Sequence, residues 1–396
     1  MALVAVVLIA ALLAVGATAS KTVFDRQGQL ETLRSHTEPL ADAAQRIYGA
    51  LSFANTTAAT AFLSGGVEPR DVRDRYEAAI GQASAGLVTA SNGVSPNDIN
   101  SLKLLTDISN QLAVYTGIVA AAQTNNRAGS PIGVAYLNES SALMQQGILP
   151  AAERLYASQS SAVTTSGHPV GVSRAVIAMA VLVLVLLVLS QVMLARHSHR
   201  RFNSGLVLAS ILMAVLVVWL TVAGLVSTHA VTTARTHGGE PMNTAVHARI
   251  LAQQARAEEI LGLLKRGSDS MSDMRFDERT AQIGWLLDEH RVDGAADALH
   301  GWMQSHEEIT NKLAGGDYGG AVAIAQDDAP QHSTAEFTKL DTALRDDITV
   351  LRERQRDGIA AAYTALNLLP FGAAAISVLA ALAVAAGIAP RLSEYH

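Results

Sequence analysis

Four apolar runs constrain this chain more than any other feature: Ala2 to Ala19, Ala175 to Ala195, Gly205 to Val226 and Leu366 to Ile388. A helix crosses a bilayer with about 20 apolar residues, so each run reads as a membrane span. Their interiors hold no Asp, Glu, Lys, Arg or His. Proton pumps and ion-coupled carriers keep such groups at mid-membrane, which disfavours a transporter. Ser190, Gln191, Ser210 and Thr221 are polar, but backbone or neighbouring helices can satisfy them.

The runs divide the chain into two like-built halves. A membrane helix at 1–20 leads to a helical module at 21–170, a second span at 171–195 and a basic link at 196–203. A third span at 204–227, a second module at 228–365, a fourth span at 366–389 and a tail at 390–396 follow. The link carries Arg196, Arg200 and Arg201. Positive charge in short loops stays in the cytoplasm, so the link and both termini are expected inside and both modules outside the plasma membrane. Lys21 and Arg174 argue weakly the other way. The first run also resembles a signal peptide, with Ala17-Thr18-Ala19 before Ser20, but no basic stretch precedes it and a retained helix is the expectation.

Both modules carry helical periodicity. Leu40, Ala44, Ile47, Leu51, Ala54, Ala58 and Ala61 form one seam, started by Glu38-Pro39 and ended by Gly65 and Gly66. Val72, Tyr76, Ala79, Ala83 and Ala90 mark a second helix. Ser95-Pro96-Asn97-Asp98 reads as a start signal with a cap and a first-turn proline. Leu105, Ile108, Leu112, Tyr115, Val119 and Ala122 follow, then Leu137, Met144, Ile148 and Leu155 before Gly167 and Pro169. In the second module Glu240-Pro241 opens a seam through Val246, Ile250, Gln253, Ala257, Ile260 and Leu264, stopped by Gly267. Ile283, Leu286 and Leu287, then Trp302, Ile309 and Leu313, then Phe337, Leu340, Leu344, Ile348 and Leu351 continue it. No sustained two-residue alternation signals strands. The expected fold is an all-α membrane protein with four transmembrane helices and two extracytoplasmic antiparallel four-helix bundles, internally duplicated.

No catalytic constellation stands out, so an enzyme is not expected. With no cysteines, disulfides, zinc–thiolate sites and thiol catalysis are excluded. Gly315 to Gly320 lacks the Lys-Ser/Thr ending of a phosphate loop and reads as a turn. Asp269, Asp273 and Asp277 lack the alternate spacing of a calcium loop, and His300 and His306 lack helical ligand spacing. No metal or cofactor is expected, and a net charge of -6 gives no footprint for nucleic acid. Asn126 and Arg127, in the turn from Asn125 to Pro131, and nearby Tyr136 are candidate contacts for an anionic ligand or a partner. The plainer reading is a capped interhelical loop. Arg352 and Arg356, in the charged stretch Arg352 to Asp357, are candidates for partner docking on what otherwise reads as a solvated face. Arg196, Arg200 and Arg201 are candidate cytoplasmic contacts, or simply fix orientation against anionic lipid.

Several strings resemble GlnX-type membrane proteins of actinobacteria. They include Asn55 to Gly66 with Arg73-Asp74-Arg75-Tyr76, and Asn126-Arg127 with Gly129, Pro131, Gly133, Ala135-Tyr136-Leu137, Met144 and Leu149-Pro150. Arg256 to Leu261, Arg266-Gly267-Ser268, Trp302 with His306, and Gly316-Asp317-Tyr318 with Ala321-Val322 extend the likeness through the second half. The resemblance implies a non-enzymatic relay. A GlnH-type solute-binding lipoprotein would capture an amino acid outside, and the soluble serine/threonine kinase PknG would receive the signal inside. A direct small-ligand sensor and an accessory subunit of a transport complex are the alternatives. A homo-oligomer is compatible with this layout.

Overall fold

The computed structural model describes residues 2–63, 68–166, 174–198, 203–265 and 270–392. Gly65, Gly66, Gly167, Pro169, His199, Arg200, Arg201, Arg266, Gly267, Ser268 and Asp269 lie outside the described residues, as do residues 393–396. The described residues form helices, with no strand among them. In chain order they are α1 (Ala2–Thr32), α2 (Glu38–Leu63), α3 (Arg70–Gly93), α4 (Ile99–Arg127), α5 (Ile132–Leu143), α6 (Leu149–Ser166) and α7 (Arg174–Ser198). Then come α8 (Ser204–Ala234), α9 (Glu240–Leu264), α10 (Ser270–Glu289), α11 (Ala295–Ala314), α12 (Tyr318–Gln326), α13 (Ser333–Leu366) and α14 (Leu369–Leu392). The chain divides into two units. One comprises 1–34, 166–235 and 355–396, the other 35–165 and 236–354.

The first unit gathers the apolar segments. Among the described residues, four helical stretches are long and apolar enough to cross a membrane. α1 packs on α14 and α7, and α8 packs on the same two, so the four close a ring. Leu12, Val15, Ala180, Leu187, Met213, Leu216, Leu220, Ala373 and Val384 fill its centre, while Leu182, Leu189, Leu208, Leu225 and Phe371 point outward. An apolar exterior around a packed apolar core suits a lipid solvent. Small residues permit close approach: a Cβ on Gly205 would lie 2.6 Å from Gly387 Cα and would strike the Ala383 carbonyl. Gln191, Ser210 and Thr221 are satisfied internally, whereas Ser377 Oγ is buried with no hydrogen-bond partner among the described residues. Gln191 Nε2 donates to Leu206 O at 2.6 Å and Ser210 Oγ at 2.7 Å, and Thr221 Oγ1 donates to Val217 O at 2.7 Å. Asn203 accepts from Gly205 N at 3.1 Å, capping α8, and donates to Gly387 O at 2.8 Å.

The second unit contains both large segments between the spans. α2 packs along α3 and α9; α9 also packs on α10 and α12; α4 packs on α5, and α11 on α12. The residues read as helical seams line its interior, from Leu40 through Leu155 and from Val246 through Leu351. The two segments share one core: Ile47, Leu51, Ile108, Tyr115, Met144 and Leu155 meet Met242, Val246, Ile250, Ile348 and Leu351. A further cluster joins Phe276, Ile283, Trp302, Leu340 and Leu344. The sharing follows from α2 and α9, which are buried on more than one side. Gln45, Asn55, Gln253, Arg256, Glu258 and Glu259, polar positions outside a simple apolar stripe, are buried too.

The prolines behave differently from the sequence expectation. Glu38-Pro39 and Glu240-Pro241 do not begin isolated helices. A five-residue π-helical turn, Leu33–Thr37 or Arg235–Gly239, leads directly into each, and Gly239 keeps a helical backbone at φ -66° and ψ -46°. A third such turn, Met144–Ile148, precedes Leu149-Pro150. Proline lacks an N–H, and its ring collides with the carbonyl four residues back. The wider π turn moves that carbonyl aside, so the helix passes through the proline instead of stopping. The boundaries at 34/35 and 235/236 fall inside two of these turns. At α4 the cap is Asp98, whose Oδ1 accepts from Ser101 N at 3.1 Å, so Pro96 precedes the helix instead of opening it.

Candidate functional site

Glu68 heads a polar seam through the first segment of the second unit. It sits between α2 and α3 with 7% exposure, and neither carboxylate oxygen has a hydrogen-bond partner among the described residues. Arg73 Nε stands 3.6 Å and Arg127 Nη2 4.0 Å from its Oε2, too far to satisfy it. The hydroxyl of Tyr76 is likewise buried without a hydrogen-bond partner among the described residues. Burial raises the Tyr76 pKa, and the nearby Glu68 charge raises it further. Deeper in, Tyr115 Oη donates to Asn55 Oδ1 at 3.5 Å and Ser141 Oγ donates to the same oxygen at 3.3 Å. Residues of α2, α3, α4 and α5 thus meet along one line of polar groups.

A second cluster lies in the other segment. Glu259, on α9, accepts from Arg256 one turn earlier, from Ser333 Oγ at 2.7 Å and from Trp302 Nε1 at 3.3 Å. His306 Nδ1 stands 3.3 Å from its other oxygen. Arg256 also donates to Ala325 O at 2.8 Å, Ser333 Oγ at 2.7 Å and Thr334 Oγ1 at 2.7 Å. Phe276 stacks on His306 at 3.7 Å between ring centroids. Burial alone would raise the Glu259 pKa. The Arg256 charge, His306 and the Ser333 hydroxyl together outweigh it and hold the carboxyl at about 2. Every partner belongs to a different turn or helix, so the node pins α9, α11 and α13 in one register.

A third set joins the two segments across α2, α9 and α13. Arg352 Nη1 pairs with Asp42 at 2.8 Å, its Nε with Glu38 at 3.7 Å, and its Nη2 donates to Gln45 Oε1 at 2.5 Å. Arg249 makes a two-pronged pair with Asp341 at 2.8 and 3.0 Å, and Gln254 Nε2 donates to Tyr48 Oη at 2.9 Å.

The sequence candidates distribute unevenly over these clusters. Arg127 reaches the Glu68 seam from the last turn of α4, and Arg352 works inside the unit as a link between α13 and α2. Asn126 lies in the capped turn, its carbonyl accepting from Gly129 N at 2.9 Å, with Gly129 at φ +69°. Tyr136 is exposed on α5 and makes no hydrogen bond among the described residues. Arg356 is exposed further along α13, in the first unit. Arg196 lies in the last turn of α7, and Arg200 and Arg201 lie outside the described residues. The expected turn covers 315–317, while 318–320 already belong to α12: Gly316 takes φ +81° and Asp317 caps α12 by accepting from Gly320 N at 2.9 Å. Sequence reasoning passed over Glu68, whose one signal was an acid placed between a glycine pair and a proline.

The family model of an actinobacterial sensor domain matches residues 29–168. That region runs from the end of α1 through the Glu68 seam and α6. No curated protein matches the chain. The match points to a sensing role, and four helical stretches among the described residues have the length and apolarity to cross a membrane.

Proposed function

We propose that this chain is a non-enzymatic transmembrane relay that passes amino-acid availability from an extracytoplasmic solute-binding protein to a cytosolic serine/threonine kinase. The observation that carries the reading is the sensor-domain match at 29–168, beside four apolar helices that leave only the short 196–203 link between the second and third. In this reading the chain is multi-pass in the plasma membrane, with both large segments outside and both termini inside. The segments are a duplicated pair of four-helix modules. Support for duplication comes from the shared order of π turn, Glu-Pro and long buried helix at Leu33–Leu63 and Arg235–Leu264. The inner contact would fall to Arg196, Arg200 and Arg201. Mild crosslinking of the tagged full chain in its native membrane, then mass spectrometry, tests the relay. A solute-binding lipoprotein together with a kinase supports it; permease or ATPase chains alone would replace it with an accessory role.

A second reading, direct sensing of a small ligand, rests on Glu68 and Tyr76. A carboxylate and a phenol buried without hydrogen-bond partners among the described residues cost free energy unless a donor or water reaches them. Calorimetry of the purified full chain against an amino-acid panel tests this. Heat that disappears in Glu68→Gln supports it, and no heat across the panel refutes it.

A further inference from the structure

α10 carries an outward stripe that the rest of the second unit does not use. Its inner face buries Phe276, Thr280, Ile283 and Leu287. On the opposite side Met274 is 62% and Trp285 67% exposed, with Glu278, Ala281 and Asp288 completing the stripe. The spacings of four, three, four and three residues place these five on one helical face. A tryptophan presents about 150–250 Å² of surface, and leaving most of it in water needs a reason.

The charges beside this stripe are one-sided. The arginines of α10, Arg275 and Arg279, both turn to the buried carboxylate of Glu258, at 3.6 and 3.4 Å. Arg279 Nε also donates to Gln254 Oε1 at 3.2 Å. Asp277, Glu278, Asp288 and Glu289 have no ion pair among the described residues and are exposed. The helix therefore offers aromatic and thioether anchors among uncompensated carboxylates. Its counterpart α3, packed on α2 as α10 is on α9, exposes Asp74, Ala78, Gly81, Ala85 and Val88 along the corresponding face, with no aromatic residue or methionine among them. The stripe is thus not something the architecture requires.

We propose that the α10 face is the docking surface for a soluble protein that presents an apolar pocket rimmed by lysine and arginine. Trp285 and Met274 would fill the pocket, in the manner of a helix laid into a groove, and the four carboxylates would meet the basic rim. The charge pattern selects this occupant over two others. An anionic lipid surface is repelled by the carboxylates. A second copy paired through a two-fold axis would set the same acidic stripe against itself. The proposal rests on the relay reading only in requiring a protein partner, and it does not depend on that partner's identity.

The test uses the full chain in its native membrane, with a photo-crosslinking residue in place of Ala281. Irradiation should join α10 to a second protein at a lysine- or arginine-rich segment. Trp285→Ala or the pair Glu278→Lys and Asp288→Lys should lower the yield about tenfold or more; Trp285→Phe should retain most of it. Raising the salt should weaken the crosslink, as a charge-matched rim requires. Crosslinks only to lipid or to another copy of this chain, no crosslink, or a yield unmoved by these substitutions would overturn the proposal. A basic partner that is not a solute-binding protein would sustain this surface and refute the relay. A solute-binding protein crosslinked elsewhere would do the reverse.

Discussion

Replacing Glu259 by glutamine tests whether the buried node in the second unit holds its helices by charge. Glu259 is fully enclosed and held at about 2, against an ordinary value of 4.5. Each unit of pKa displacement corresponds to about 1.4 kcal/mol, so ionisation of this carboxyl is worth about 3 kcal/mol to the folded state. The sign is fixed by the direction of the shift. The folded pKa lies below the unfolded one, so the contribution is complete above about pH 5 and fades as the pH falls from 4.5 toward 2. Glutamine retains the shape and part of the hydrogen bonding but leaves Arg256 without its counter-charge; removing one partner of a buried pair costs ~3–5 kcal/mol. Thermal unfolding of the full chain in detergent, followed by tryptophan emission, is the assay. Trp302 is buried and donates to Ser333 and Glu259, so it reports on the node itself. At pH 7 Glu259→Gln should lower the midpoint by roughly 6–12 °C, and its midpoint should change less than that of the parent between pH 5 and 3. An unchanged midpoint at pH 7, or the same acid dependence in both proteins, would show that the node is held by packing and not by charge.

Other perturbations reach other parts of the chain. Gly205→Leu or Gly387→Leu should separate α8 from α14 and lower stability by about 1–3 kcal/mol, read as a loss of thermal midpoint in detergent. Asp341→Asn removes the charge that Arg249 grips with two hydrogen bonds, and should cost about 1–3 kcal/mol in the same assay, with Asp341→Glu recovering part of it. Asn55→Leu strips Tyr115 and Ser141 of their shared acceptor and should cost about 1–3 kcal/mol; an unchanged midpoint would mean the seam is satisfied by other groups. The chain has no cysteines, so single cysteines report topology cleanly. Ser130→Cys and Gly319→Cys should react with an impermeant maleimide on intact cells and Ser198→Cys should not, and the opposite pattern would invert the proposed orientation.

The four long apolar helices and the apolar seams were legible in the sequence because both depend on local pattern. A run without charges, or a stripe at spacings of three and four, survives whatever it packs against. The buried polar groups were not legible for the complementary reason. Gln253 reads as a member of a seam and Glu259 as part of a familiar string, yet each has long-range polar partners, 43 to 88 residues away, that no local pattern marks. The same applies to Glu68 and Arg127, separated in sequence by α3 and the length of α4. Glu38-Pro39 and Glu240-Pro241 carry the residues of a helix start, and only the preceding chain decides between a start and a π turn. The shared core of the two segments escaped because periodicity marks which face of a helix is apolar, and α2 and α9 bury polar faces as well.

Those two helices are also where the polar nodes gather, and this limits how they can move. α2 carries Asp42, Gln45 and Asn55; α9 carries Arg249, Gln253, Arg256 and Glu259. An apolar helix face can slide by a fraction of a turn at modest cost, since its contacts are non-directional. A hydrogen-bonded ion pair cannot: rotating α9 by one residue would turn Arg256 from Ala325 O, Ser333 and Thr334 at once. Each intermediate position leaves buried charge unmatched, so these helices have few allowed registers. A π turn stands before each of them, and a π turn is one residue inserted into a helix, which resets the face presented by everything that follows. A rearrangement of α2 or α9 would therefore be a switch between discrete registers, broken and remade at named ion pairs, and not a graded displacement.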